Sequence, residues 1–188
     1  MSIPRDLNQF LGRKPDQSVG CDQHDQCLQG PCQVELPNSP SRDPWHARVQ
    51  RLRGDVALLR RSGVLVVVVT GSREWKDEET VRASLRRLLN KPGLQETYPP
   101  HRLLIIHGDA RGLDRLAGQR AEALGMNVLS LPAPWGQWGK AAGVLRNQAM
   151  IDLKPDLVLG FPIGKSTGTR DCLRRAQQAN IPTIVVEG

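Results

Sequence analysis

From Asp156 to Thr169 the chain reads DLVLGFPIGKSTGT, an apolar run that stops at a loop of small and hydroxyl-bearing residues and opens a helical pattern. Backbone N–H groups at such a helix start have no intrahelical partner. With Lys165, Ser166 and Thr169 beside them they favour an anion, a phosphate above all. The expected ligand is therefore nucleotide-like. Two further segments, Gly71-Ser72-Arg73 and Gly108-Asp109-Ala110-Arg111-Gly112 with Asp114, combine glycines with side chains of both signs. Arg73 and Arg146 suit phosphate oxygens in a forked geometry, whereas Asp109 or Asp114 suits ribose hydroxyl protons. Plainer roles stay open to each: a Gly-rich turn that binds nothing, a helix cap at Asp114, a solvated Arg111, an Arg146 paired to a carboxylate.

The same loop looks like the phosphate loop GxxxxGK[ST], but Gly160, Gly164, Lys165 and Ser166 leave three residues between the glycines where that motif has four. A shorter loop cannot wrap a β-phosphate in the same way, and no acidic strand end offers itself for Mg²⁺, which argues against an NTPase of that kind. A separate cluster, Cys21, His24, Cys27 and Cys32, places three thiols and an imidazole within twelve residues. Such a set suits tetrahedral zinc, and a structural zinc would order a segment with few apolar residues, although the spacing matches no standard finger. Free thiols on an extended arm are one alternative, and disulfides, which would need an oxidising compartment that the lack of a signal peptide disfavours, are the other. Cys172 reads as a small core residue, because no His stands close to it in sequence. His107, at a strand end, reads as a satisfied histidine.

The elements that must position these groups follow from periodicity. Residues 1–45 are rich in Gln, Asp, Pro and Ser without a sustained period, as in an extended arm. Val49, Leu52, Val56 and Leu59 recur at helical spacing in a basic, amphipathic helix over residues 46–62 that docks on the main domain. From residue 63 apolar strands alternate with helices. Val64–Thr70, Arg102–His107, Asn127–Leu131, Leu157–Phe161 and Thr183–Val186 read as strands. Helices follow near Asp77–Leu89, Leu113–Leu124, Ala142–Ile151 and Thr169–Ala179. Five strands so interleaved predict an α/β fold with a doubly wound, Rossmann-like parallel sheet, whose ligands sit outside the C-terminal strand ends.

Composition narrows the function classes. The 188 residues carry a formal charge of +7, but the excess is spread thinly. Residues 1–62 hold nine Lys/Arg against seven Asp/Glu, and the remainder seventeen against twelve. With seven aromatic residues in all, the interleaving of bases and rings used by single-strand binders is missing. A nucleic-acid or protein-interaction module, docking through the basic helix and the arm, is thus the weaker alternative. No apolar run approaches a membrane span, and the polar N-terminus lacks a signal peptide's apolar region, so a cytoplasmic location without membrane partners is expected.

The blocks VVVTGSREWKD, IIHGDARGLDRLA, LPAPWGQWGKAAGVLRNQAMI and DLVLGFPIGKSTGTRDCLRRAQQANIPTIVV together resemble the YspA, cpYpsA-related SLOG family, over residues 64–188. That resemblance implies a Rossmann-like domain that binds nucleotide-derived ligands. It adds Gly108, Gly112, Trp135, Lys140, Gly143, Asn147, Gly164 and Gly168 to the matching positions. It also implies that such domains pair, with the amphipathic helix as one candidate homo-oligomer interface. The residues expected to meet ligand are Gly71, Ser72, Arg73, Gly108, Asp109, Ala110, Gly112, Asp114, Arg146, Asn147, Gly164, Lys165, Ser166, Gly168 and Thr169. More distantly, the LOG phosphoribohydrolases of the same superfamily couple a helix Arg to a PGGxGTxxE loop and cleave the N-glycosidic bond of nucleoside monophosphates. Arg146, Met150, Gly168 and Thr169 match that pattern, but Cys172 stands where its Glu should be. A neutral thiol cannot supply a carboxylate's charge, so binding as a sensor or sponge is expected ahead of hydrolysis. If an N-glycosidase activity survives, Arg146 and Asp114 are its candidate catalytic pair, with Asp171 the other available carboxylate.

Overall fold

The computed structural model describes residues 43–90 and 99–188. The cluster of Cys21, His24, Cys27 and Cys32 lies outside them. Strand β1 (Leu65–Gly71) is a β-branched run with no exposed face, which only a central strand covered on both sides can accommodate. Its parallel neighbours are β2 (Leu103–His107) and β4 (Leu157–Phe161), and β3 (Asn127–Ser130) and β5 (Thr183–Val185) form the edges. The order β3-β2-β1-β4-β5 puts the topological switch between β1 and β4, where Val67 is in register with Leu157 and Gly71 with Phe161. The α/β, all-parallel architecture is the one the sequence pattern predicts.

Alternation along β1 sorts the helices into two layers. Val66 and Val68 pack on one face with α1 (Pro44–Arg61), α5 (Ala142–Asp152) and α6 (Thr167–Gln178). Val67 and Val69 pack on the other with α2 (Glu78–Leu89) and α3 (Leu113–Ala123). Helix α1 starts two residues before its expected position, because Asp43 caps it by accepting the Trp45 amide at 3.0 Å and Pro44 takes a first-turn place that needs no N–H. Its Val49, Leu52, Val56 and Leu59 are all buried, as the spacing requires. At its far end Arg60 meets Asp156 at 2.5 Å, while the other oxygen of Asp156 accepts the Val66 amide at 2.9 Å. One carboxylate thus joins α1 to the starts of β1 and β4.

Two features depart from the expected pattern. The segment read as a Pro/Trp/Gly loop contains a one-turn helix, α4 (Trp135–Trp138), continuing into a 3-10 turn at Gly139–Ala141. Helix α6 begins at Thr167 rather than near Thr169. No described helix is long and apolar enough to cross a membrane.

Candidate functional site

The loops after β1, β2 and β4 converge because their backbones touch. The Leu113 amide donates to Ser72 O at 3.1 Å, and the Ser72 amide donates to Phe161 O at 2.9 Å. Gly112 makes the first contact possible: its φ of 76° is a left-handed conformation, and a Cβ there would sit 2.3 Å from the Arg73 carbonyl oxygen. The result is a cleft of about 710 Å³ over the C-terminal ends of β1 and β4. Its floor is Thr70, Gly71 and Ser72. One wall is the Ile163–Thr169 loop, and the facing wall is Trp135, Lys140, Gly143 and Val144.

At the inner side, Arg146 reaches from α5 across Gly108, whose missing side chain leaves the space: a Cβ there would fall 0.8 Å from Arg146 Nη1. That nitrogen lies 3.3 Å from Asp114 Oδ2, and the same oxygen accepts the amides of Gly108 at 3.0 Å and Ala110 at 3.4 Å. Asp114 is only 2% exposed. Burial pushes its carboxyl above the usual range, against the opposing pull of Arg146, His107 and the two amides. Arg146 Nε is buried without a hydrogen-bond partner, so the guanidinium is incompletely satisfied by the described residues.

The side chains around this pair are committed to the protein. Asp109, at φ 55°, accepts from Arg115 Nε at 3.1 Å, while its amide donates to His107 Nδ1 at 3.1 Å. That bond leaves the imidazole proton on Nε2, and burial holds the His107 pKa below its ordinary value despite Asp114 and Asp109. Asn147 donates to Gly168 O at 3.0 Å and to Asp171 at 3.1 Å, fixing the first turn of α6 to α5. Asp171 loses solvent, which raises its pKa, but Arg175, Asn147 and Arg174 outweigh that and keep it below the ordinary carboxylate range.

At the outer side, the Ser166 hydroxyl is consumed by its own turn, donating to Ile163 O at 2.6 Å and accepting the Ile163 amide at 2.9 Å. The hydroxyl expected to face an anion therefore stiffens the loop instead. Helix α6 has no side-chain N-cap, which leaves its first-turn amides facing the cleft beside Thr167, Gly168 and Thr169. Lys165, Lys140 and Arg73 border the same space, and none forms an ion pair with a described residue.

Gly71, Ser72, Arg73, Ala110, Asp114, Arg146, Asn147, Lys165, Ser166, Gly168 and Thr169 thus line one cleft. Gly108, Asp109, Gly112 and Gly164 stand behind it and shape its walls. The reading of the residues by chemistry alone passed over Val144 and Ile163, and placed Trp135, Lys140 and Gly143 only through family resemblance. The available signal was a pair of tryptophans, at 135 and 138, in a chain with few aromatics. Cys172 is fully buried, and burial pushes its thiol up to about 12, so it supplies no charge at the place of the expected Glu. Among the described residues no group of three or more His, Cys, Asp or Glu could hold a metal ion.

A model described as the YspA, cpYpsA-related SLOG family matches residues 65–138. Gene 61 protein of Mycobacterium phage D29 is 42% identical over 123 residues, which are 63% of this chain and 93% of that protein. The chain belongs to the YspA, cpYpsA-related SLOG family. Within this SLOG chain the matched segment runs from β1 through α4 and so holds the β1 and β2 loops and Trp135. Helices α1, α5 and α6 lie outside it. Among solved structures, DNA processing protein A from Streptococcus pneumoniae aligns at 18% identity with a TM-score of 0.38, over 68% of this chain and 59% of that one.

Proposed function

We propose that the chain binds a nucleotide or nucleotide-derived small molecule in the β1/β4 cleft, as a sensor, a sponge or a nucleotide-processing domain. One observation carries the reading. An uncapped twelve-residue helix opens into the cleft at the switch point of the sheet, beside three cations without described ion-pair partners, Arg73, Lys140 and Lys165. Helix N-termini and lysines stabilise phosphate, and open α/β sheets hold ligands at this place. Beside Lys140, the wall facing the Ile163–Thr169 loop offers Trp135, Gly143 and Val144, an apolar surface suited to a base. Calorimetric titration with nucleoside mono-, di- and triphosphates, NAD and ADP-ribose tests the proposal. At least one compound should bind, and the Arg73→Ala/Lys165→Ala protein should bind it roughly tenfold or more weakly, as expected for lost charge-assisted contacts. No binding, or equal binding by both proteins, contradicts it.

A second reading, cleavage of the nucleotide's N-glycosidic bond, is favoured by one feature: a buried carboxyl with a raised pKa, Asp114, borders the cleft next to Arg146. Against it, the one oxygen of Asp114 seen to bond already accepts two amides and the guanidinium. Release of free base from the bound nucleotide, lost in Asp114→Asn, would establish hydrolysis. Recovery of the nucleotide intact would leave binding alone.

A further inference from the structure

We propose that the first turn of α1, outside the family-matched segment, sets the Trp135 face on which the base of the ligand stacks. The inference rests on the nucleotide reading of the cleft and names what selects the ligand within it. Trp135 is half exposed, at 51%, and lines the cleft. The edge of its ring lies against Gly143, where a Cβ would fall 3.2 Å from Cη2, so α5 backs that edge and half of the side chain stays open. Helix α4, which carries it, has a single turn and buries none of its residues. Such a segment cannot hold an indole at a fixed angle by its own hydrogen bonds.

The holding groups come from α1, one after another along residues 130–138. Arg48 Nη2 donates to Ser130 O at 3.3 Å, and Trp45 Nε1 donates to Pro132 O at 3.4 Å. The His46 ring stands edge-on to Trp138 with centroids 5.9 Å apart, and is itself held by Asp43 at 2.5 Å. Trp45, His46 and Arg48 of the first two turns of α1, with the cap Asp43 holding His46, thus grip both flanks of Trp135 without lining the cleft themselves. A planar ring presented this way attracts a base through its π-face and contributes nothing to a phosphorylated sugar that lacks one.

The test compares AMP, GMP, CMP and UMP with ribose 5-phosphate on the full chain. In wild type at least one nucleotide should bind about tenfold or more tightly than ribose 5-phosphate, a ratio in the range of base–aromatic stacking. That ratio should collapse toward one in Trp135→Ala and return in Trp135→Phe. It should also fall in His46→Ala and in Trp45→Phe, which keeps a ring for packing but loses the Nε1–H. A ratio unchanged by Trp135→Ala, or by both α1 variants, overturns the inference while leaving the nucleotide reading standing. If no nucleotide binds wild type more tightly than ribose 5-phosphate, the inference is overturned, whereas the nucleotide reading itself fails only when no compound of the full calorimetric panel binds.

Discussion

Arg146 and Asp114 sit at the centre of the cleft's inner wall, and a glycine makes their meeting possible. Gly108→Ala would place a methyl on top of Arg146 Nη1 and drive the guanidinium from its carboxylate. Separating a buried pair leaves an uncompensated charge, so the variant should lose about 3 kcal/mol in chemical denaturation. His107 gives a second handle. Its pKa is lowered from the ordinary 6.5 by burial, so the unfolded chain takes up this proton first as pH falls. The stability His107 contributes is therefore whole above about pH 6.5 and drains away as pH falls toward the folded value. Melting temperatures between pH 7 and 5 should decline more steeply in wild type than in His107→Asn, whose amide oxygen can still accept the Asp109 amide. Equal slopes would contradict this assignment. The residue types of the cleft were legible in the sequence, since glycines, cations and carboxylates recur at strand ends. Their pairing was not: that Asp114 answers Arg146, and that Ser166 spends its hydroxyl on Ile163, depends on contacts between residues whose spacing encodes nothing about them.

Among the elements, α1 does more than cover the sheet. Its four buried residues complete one of the two cores, and its two ends fix the β3–α4 segment and the start of β1. Leu52→Ala should cost about 3 kcal/mol, measured by urea denaturation, as for other leucines truncated in a packed interior. A loss under about 1 kcal/mol would make α1 an appendage, because buried leucines do not yield so little. The helix was readable from its apolar spacing, and its true start from Asp43-Pro44, a cap followed by a proline. Helix α4 was not readable, because four residues are too few to show a period and Pro132 and Pro134 signal a loop. The beginning of α6 was misplaced by two residues for a related reason. Ser166, at φ 24°, is the N-cap, but its side chain bonds backward into the loop and makes no cap hydrogen bond, and the loop's small and hydroxyl-bearing residues Ser166, Thr167 and Gly168 carry no apolar period to mark the first turn.

At the scale of the molecule, a parallel sheet of order β3-β2-β1-β4-β5 brings three loops of different chemistry to one edge of its centre. The α/β class and the parallel sheet followed from alternating strands and helices, but strand order is a property of pairing and became known only with the structure. The family-matched segment supplies the β1 and β2 loops with Arg73 and also Trp135, while α6 and the loop before it bring the Thr167–Thr169 amides and Lys165, and α5 brings Gly143 and Val144. This division predicts a ligand held at two ends by different parts of the chain. The most direct test is a crystal structure of the full chain with the tightest-binding nucleotide of the panel. The phosphate is expected within hydrogen-bond distance of the Thr167–Thr169 amides and the base against Trp135. A nucleotide bound outside the β1/β4 cleft, or one whose phosphate avoids the α6 terminus, would contradict it.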